Sequence, residues 1–411
     1  LVLTAKEKKT HVSFPQLKYP SLRDEGLKDP VLWLTGKAMD DGAEGLWRVH
    51  DKLYDLESFI HRHPGGREWL ELSKGLDVTE AFEAHHLNPS TEKMLSKFYI
   101  RDAKSPRNSP FTFQDDGFYR SLKRRVWEEL KTIPKMENRR SDMVTDGLLA
   151  TCLAASTIAS WAENYWIATA ACFVASVCLA WILVAAHNYI HRGPNFRMYY
   201  FNLALWSYRV SHVLSHHLYT NTLMDLEVSG FEPIIFWNPR KERPFYADYA
   251  IRSTILYLFS ILPWASLGEI GASFYHAVVT WLWINCTASF IFFTIGSNAA
   301  HHHPMIFKDG DEVSDVTPDW GMHELEAVMD RRDINDSHFK VMTFFGHHSL
   351  HHLFPTLDHA VLEHLYPVFL EYCEKYKANF KETSSMDLFI GQIKATLKTR
   401  PTLLTEKKSR Y

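Results

Sequence analysis

The chain has 411 residues, 46% apolar and 14% aromatic, and its 48 acids and 45 Lys and Arg leave a formal charge of −3. That balance excludes a globally basic nucleic-acid binder, and the apolar share excludes a disordered chain. The length fits two or three domains, or a small domain joined to a large one.

Residues 1–29 are polar and proline-punctuated, an expected extended tail. The opening run LVLTAKEKK lacks a secretory signal pattern, and a start at Leu1 leaves a preceding segment open. From 30 to 102 the pattern predicts a small soluble α/β unit. Short strands are expected at WLTGK (33–37) and in WRVHDKLYDL (47–56), with short helices near 56–61, 69–73, 79–86 and 91–98. A linker follows at 103–117, where Pro106 and Pro110 stand among Ser, Asn and Asp. Residues 118–133 are amphipathic, with Phe118, Leu122, Trp127 and Leu130 on one face beside Lys123, Arg124 and Arg125. That pattern suits a helix lying in a membrane interface, with an ordinary surface helix as the alternative.

Residues 147–186 hold one acid, Glu163, and no Lys or Arg. They predict two membrane spans, 147–162 and 165–186, the first extending back past Asp146. A second pair is predicted at 249–267 and 271–297. The turns at 163–164 and 268–270 carry no Lys or Arg, whereas Arg192, Arg197, Arg209, Arg240, Lys241 and Arg243 stand between the pairs. The positive-inside rule then puts the soluble unit and the middle stretch on the cytosolic side. The five cysteines form no C-x-x-C pair, which argues against a disulfide framework or a zinc-thiolate site.

Histidine is the unusual residue, with 23 copies, many in clusters. His187 and His191 form H-x3-H directly after the second span. His212, His216 and His217 form H-x3-HH, and His348, His351 and His352 form H-x2-HH preceded by His347. On a helix each spacing projects its imidazoles to one side, toward a shared metal. Imidazole suits iron, zinc or copper, so ligand type alone does not choose the metal. Between Asp51 and Glu92 nine acids face four Lys or Arg, an acidic surface able to steer a basic redox partner.

The stretch WRVHDKLYDLESFIHRHPGG (47–66) resembles the cytochrome b5 domain, whose haem-ligand signature stands here as His63-Pro64-Gly65-Gly66. In that family a second axial histidine follows some two dozen residues on, and EAFEAHHLNP offers His85 and His86. The family's spacing of four from Phe82 selects His86, with His85 as the alternative. The resemblance implies an α+β domain holding haem b between His63 and His86. With both axial positions filled, such a haem moves single electrons and does not activate O2.

The histidine boxes resemble the membrane fatty-acid desaturase and hydroxylase family over about 146–382. They are most similar to the cytochrome b5-fused front-end desaturases, through HHLFP (351–355) and HHLYTNTLMDLE (216–227). The resemblance implies an all-α membrane domain, residues 146–400, with four transmembrane helices in two hairpins. It follows the haem domain (30–102) and a linker with interfacial helix (103–145), and a tail occupies 401–411. It also implies a di-iron centre held by His187, His191, His212, His216, His217, His348, His351 and His352. A further ligand usually follows the fourth span. SNAAHHHP (297–304) offers His302, four residues after Asn298, with His301 and His303 as alternatives. Three departures stand out. Asn188 occupies a position where the family often has Asp, His348 stands where front-end members usually have Gln, and H-x3-HH is one residue longer than many second boxes.

The expected activity is O2-dependent desaturation of an acyl chain in a membrane lipid or acyl-CoA. Electrons are expected from NADH through a flavin enzyme resembling NADH-cytochrome b5 reductase. The expected location is the endoplasmic reticulum membrane, with the haem domain and the boxes facing the cytosol. A lipid hydroxylase on the same scaffold and a non-catalytic, membrane-tethered electron carrier are the alternatives.

Overall fold

The computed structural model describes residues 10–24, 29–201, 205–229, 274–297, 299–398 and 400–404. Helix α1, Pro30–Asp40, starts where Asp29 accepts hydrogen bonds from the Val31 and Leu32 amides and Pro30 sets the first turn. WLTGK lies inside this helix and is not a strand: the cap and the proline outweigh its local alternation.

Strands β1 (Trp47–Val49), β2 (Lys52–Tyr54) and β3 (Tyr99–Asp102) form an antiparallel sheet in that order, with Trp47 opposite Tyr54 and Leu53 opposite Arg101. Between β2 and β3 run α2 (Arg67–Leu72), α3 (Thr79–His85) and α4 (Ser90–Leu95). They close over a small core that includes Trp47, Val49, Tyr54, Ile60, Leu70 and Phe82.

The segment 103–117 has little regular structure, yet it is anchored. Arg107 pairs with Asp77 and Glu80, and the Thr112 amide donates to the Pro318 carbonyl. Helix α5, Phe118–Glu129, follows. Its apolar face is buried in protein, because Phe118, Tyr119, Leu122 and Val126 pack with Trp320, Leu350, Phe354 and Leu362. The membrane-interface expectation for this helix is thereby corrected: facing aromatics of the same chain cover the surface that lipid was expected to cover.

Helices α6 (Asn138–Trp161) and α7 (Tyr165–Ile190) form a hairpin, with Asn164 capping α7. At 26 residues α7 is about 39 Å long, enough for a hydrocarbon core of about 30 Å. Helix α6 does extend back past Asp146, and Arg197 pairs with both Asp142 and Asp146 at that end. A third apolar helix, Phe274–Ser297, contributes Ile284, Ala288 and Phe292 to the core that α6 and α7 share. Among the described residues, three helices are long and apolar enough to cross a membrane. The span expected at 249–267 lies outside the described residues.

Shorter helices gather at the C-terminal end of α7. They include Trp320–Ala327, His348–Leu353 and His359–Tyr376, the last capped by Asp358. The histidine clusters lie where these helices meet the end of α7.

Candidate functional site

Two histidine sites form, and the smaller one is in the N-terminal unit. His63 ends a 3-10 turn, Glu57–Arg62, and its Nδ1 donates to the Gly66 carbonyl at 2.9 Å. His86 follows α3, and its Nδ1 donates to the Phe82 carbonyl at 3.0 Å. Both Nε2 atoms are thereby left as lone-pair donors. The two ring centres stand 6.1 Å apart. Imidazole–metal bonds run about 2.0–2.1 Å, and with roughly 1 Å more from nitrogen to ring centre, two rings flanking one metal stand about 6 Å apart. The pair therefore fits a single iron between them. Burial pushes His86 down to about 4, so it is neutral at pH 7. His85 turns elsewhere, with Nδ1 on the Ala81 carbonyl at 2.8 Å and its ring near Trp69.

The glycines shape this turn. Gly66 has φ +105°, a conformation that side chains rarely adopt, and a Cβ on Gly65 would stand 2.9 Å from His63 Cε1.

The larger site gathers the three boxes. His187 Nε2 lies 2.6 Å from His212 Nε2 and 3.2 Å from His191 Nε2, and His217 Nε2 lies 3.0 Å from His212. A second group joins His216 to His301 at 3.1 Å and His301 to His348 at 2.8 Å, with the His352 ring 4.8 Å from that of His301. The His351 ring is 4.7 Å from His187 and 4.9 Å from His191. All nine are buried.

The second box owes its geometry to a π-helical stretch, Arg209–Ser215, followed by a 3-10 turn, His216–Leu218. A π-turn accommodates one additional residue within a helix. It absorbs the longer H-x3-HH spacing and still brings His212, His216 and His217 into the cage.

Carboxylates orient these rings from outside. His212 Nδ1 donates to Glu227 at 2.6 Å, His216 Nδ1 to Asp225 at 2.9 Å, and His352 Nδ1 to Glu324 at 2.9 Å. The pattern matches that of metal-binding histidines, whose second nitrogen is normally spent on such a partner. Asn188 does not itself supply a carboxylate, but its amide donates to Asp358 at 3.0 Å and its oxygen accepts from His359 Nδ1 at 2.8 Å. His359 thereby joins His187 and His351 in a third close group.

A test of fit comes from the protons. His216 spends its Nδ1–H on Asp225, and His301 turns Nδ1 to the Ala327 carbonyl at 3.3 Å. Their Nε2 lone pairs then face each other at 3.1 Å, an arrangement that a cation or a shared proton must relieve. Both ring nitrogens of His351, and Nε2 of His352, are enclosed without a hydrogen-bond partner among the described residues. Burial holds His212, His217, His301, His348, His351 and His352 well below the ordinary imidazole range. They are neutral, as metal ligation requires. His216 differs: burial opposes its charge, but Asp225 and Glu227 raise it to about 9, so a metal there displaces a proton.

One expected position moves. His301 enters the cage, whereas His302 points to Lys308, with Nδ1 3.3 Å from Nζ. Residues 299–301 form a bend and not a helix, so a helical four-residue count does not select among the histidines there. Sequence reasoning also missed Asp225, Glu227, Glu324 and His359. The first two lie inside the quoted HHLYTNTLMDLE, where acids close after a box were a usable signal. Glu324 comes from a separate helix and had none.

Residues 37–104 match the Cytochrome b5-like Heme/Steroid binding domain family, and residues 237–384 match the Fatty acid desaturase family. The chain thus joins a haem-binding cytochrome b5 domain to a helical desaturase-like domain. A cytochrome b5-related protein of Drosophila melanogaster is 42% identical over 419 residues, covering 93% of this chain and 95% of that protein. A second, from Drosophila virilis, is 48% identical over 129 residues, 31% of this chain and 90% of its own. A Delta(5) fatty acid desaturase A of Dictyostelium discoideum is 23% identical, covering 81% of this chain and 87% of its own. No solved structure matches. The chain belongs to the family of cytochrome b5-related proteins.

Proposed function

We propose that this protein is an integral-membrane, O2-dependent acyl-chain desaturase that carries its own electron donor. The observation behind the reading is the cage of nine buried imidazoles, three of them held by outer carboxylates, beside a haem-type histidine pair in the same chain. His63 and His86 would hold haem b. His187, His191, His212, His216, His217, His301, His348, His351 and His352 would hold two irons, with His301 in the place expected of His302. Bound there, the irons would supply oxidation of an unactivated C–H bond by O2, and the haem would supply electrons singly.

The balance is simple. The acyl chain loses two hydrogens, and with two electrons and two protons one O2 becomes two waters. The chain's own groups have defined tasks. Glu227, Asp225 and Glu324 hold the ligand tautomers, and Asn188 holds His359 in position. The apolar spans keep the acyl chain of a membrane lipid or acyl-CoA beside the cage. Electrons enter from NADH through a flavin reductase, and the endoplasmic reticulum, with both sites on the cytosolic side, is the location that fits such a donor.

The test is lipid profiling of cells expressing the chain or its His351→Ala variant. A new unsaturated acyl product that disappears with His351→Ala supports the desaturase. A hydroxylated product would replace desaturation by hydroxylation on the same cage. No lipid change and no O2 consumption above background would leave an electron carrier.

A further inference from the structure

The seam between the two domains carries more than a tether needs. Four acids of the haem unit meet basic residues outside it, three of them buried and the fourth, Glu68, exposed. Asp77 and Glu80 meet Arg107, Glu83 meets Arg120 and Lys123, and Glu68 meets Arg209. Glu80 and Glu83 are 0% exposed. Tyr219, two residues after the second box, donates to Glu80 at 3.3 Å and accepts from Lys37 at 3.1 Å.

Apolar contact surrounds these pairs. Ala84 and Leu87, on either side of His85 and His86, pack with Leu218, Leu350 and Leu353 beside the second and third boxes. The Tyr119 hydroxyl lies 3.1 Å from the Glu83 carbonyl and 3.2 Å from the Leu353 carbonyl, between α3 and the third-box helix. The His63-Pro64-Gly65-Gly66 turn sits on the loop after the first box. A Cβ on Gly193 would stand 3.3 Å from the Pro64 oxygen, and one on Gly66 3.9 Å from Pro194.

His85 occupies this seam. Its neighbour His86 faces His63, while its own Nε2 is enclosed and without a hydrogen-bond partner among the described residues. Trp69, beside it, packs against the core of the spans.

Transient electron-transfer partners meet through small, wet, charge-steered surfaces. A seam of buried ion pairs set in apolar contact is of another kind, one that favours a fixed arrangement over relative motion. We infer that the haem unit passes its electrons to the cage from this fixed seat, through the seam at His85, without swinging on the 103–117 segment. Part of the acidic face is thus spent within the chain, on the linker, on α5 and, through Arg209 and Tyr219, on the second domain. Each step oxidises the haem iron by one electron and reduces a cage metal by one, with no bond made or broken. The inference rests on the proposed two-metal reading for its donor and acceptor.

The test uses the full-length holoprotein in lipid nanodiscs. After haem reduction, reoxidation should be first order, independent of protein concentration and unchanged from low to high salt. A rate that falls steeply with salt would overturn the fixed seat, because exposed steering charges are screened and buried pairs much less so. The variant Ala84→Cys, with its label located by peptide mass, should resist maleimide at both salt concentrations. Ready labelling would overturn the seat whether or not any lipid product forms. The variant His85→Ala should keep the low-spin haem spectrum, the haem potential and the cage iron, while haem reoxidation slows severalfold. An unchanged rate, or loss of the low-spin spectrum, would overturn the role of His85. If lipid oxidation is absent while Ala84→Cys stays protected at every salt concentration, the proposed activity fails and the seat stands.

Discussion

The haem pair and the cage hold histidines in place by different means. His63 and His86 are aimed by backbone carbonyls three or four residues away in the chain. In the cage, His212, His216 and His352 are aimed by side-chain carboxylates, and Glu324 reaches His352 from another helix. The first arrangement is made by a local turn and survives almost any change elsewhere. The second exists only once distant elements have packed, and each acid in it can be lost singly. A site aimed by main chain is sensitive to backbone shape, and one aimed by side chains is sensitive to composition.

The largest effect should come from the axial pair. Either His63→Ala or His86→Ala should abolish the six-coordinate low-spin spectrum, read by optical absorbance, while cage iron is unchanged. A spectrum that survives His86→Ala would remove the contrast at its root. Next, His301→Ala should release metal from the purified protein and His302→Ala should not, measured as iron per chain by elemental analysis. Equal retention in both would put His301 outside the ligand set. The outer carboxylates come third. Glu324→Ala or Asp225→Ala should weaken cage metal by about 10–100-fold in chelator competition and leave the haem untouched. The smallest effect concerns backbone shape. Gly66→Ala should cost about 1–3 kcal/mol at a strained φ, read as a lower melting temperature of the haem absorbance. Gly147→Ala in α6, where a Cβ meets nothing within 4 Å, should cause no loss.

These differences also explain what could be read from sequence. The haem unit was legible because ligand, turn glycines and orienting carbonyls are contiguous. The boxes were legible because helical spacing is a local property. His301 was not, since its selection depends on how the chain bends after helix Phe274–Ser297. Glu324 and His359 reach the cage through packing alone. Helix α5 looked like a membrane-surface helix because an apolar stripe does not say what will cover it; here Trp320 and Phe354 do. WLTGK read as a strand because five residues of alternation carry less information than the Asp29-Pro30 start just before them.

The π-helical stretch at Arg209–Ser215 gives the second box slack. Adding or removing a residue in a buried α-helix normally rotates everything beyond it by about 100°, since a turn takes 3.6 residues. A bulge confines that rotation to one loop of backbone. Deleting Val213 would shorten H-x3-HH to H-x2-HH and could be met by rewinding the bulge to ordinary helix, with His216 and His217 still facing inward. The second box is thus a place, among the described residues, where chain length can change while the ligand set stays the same.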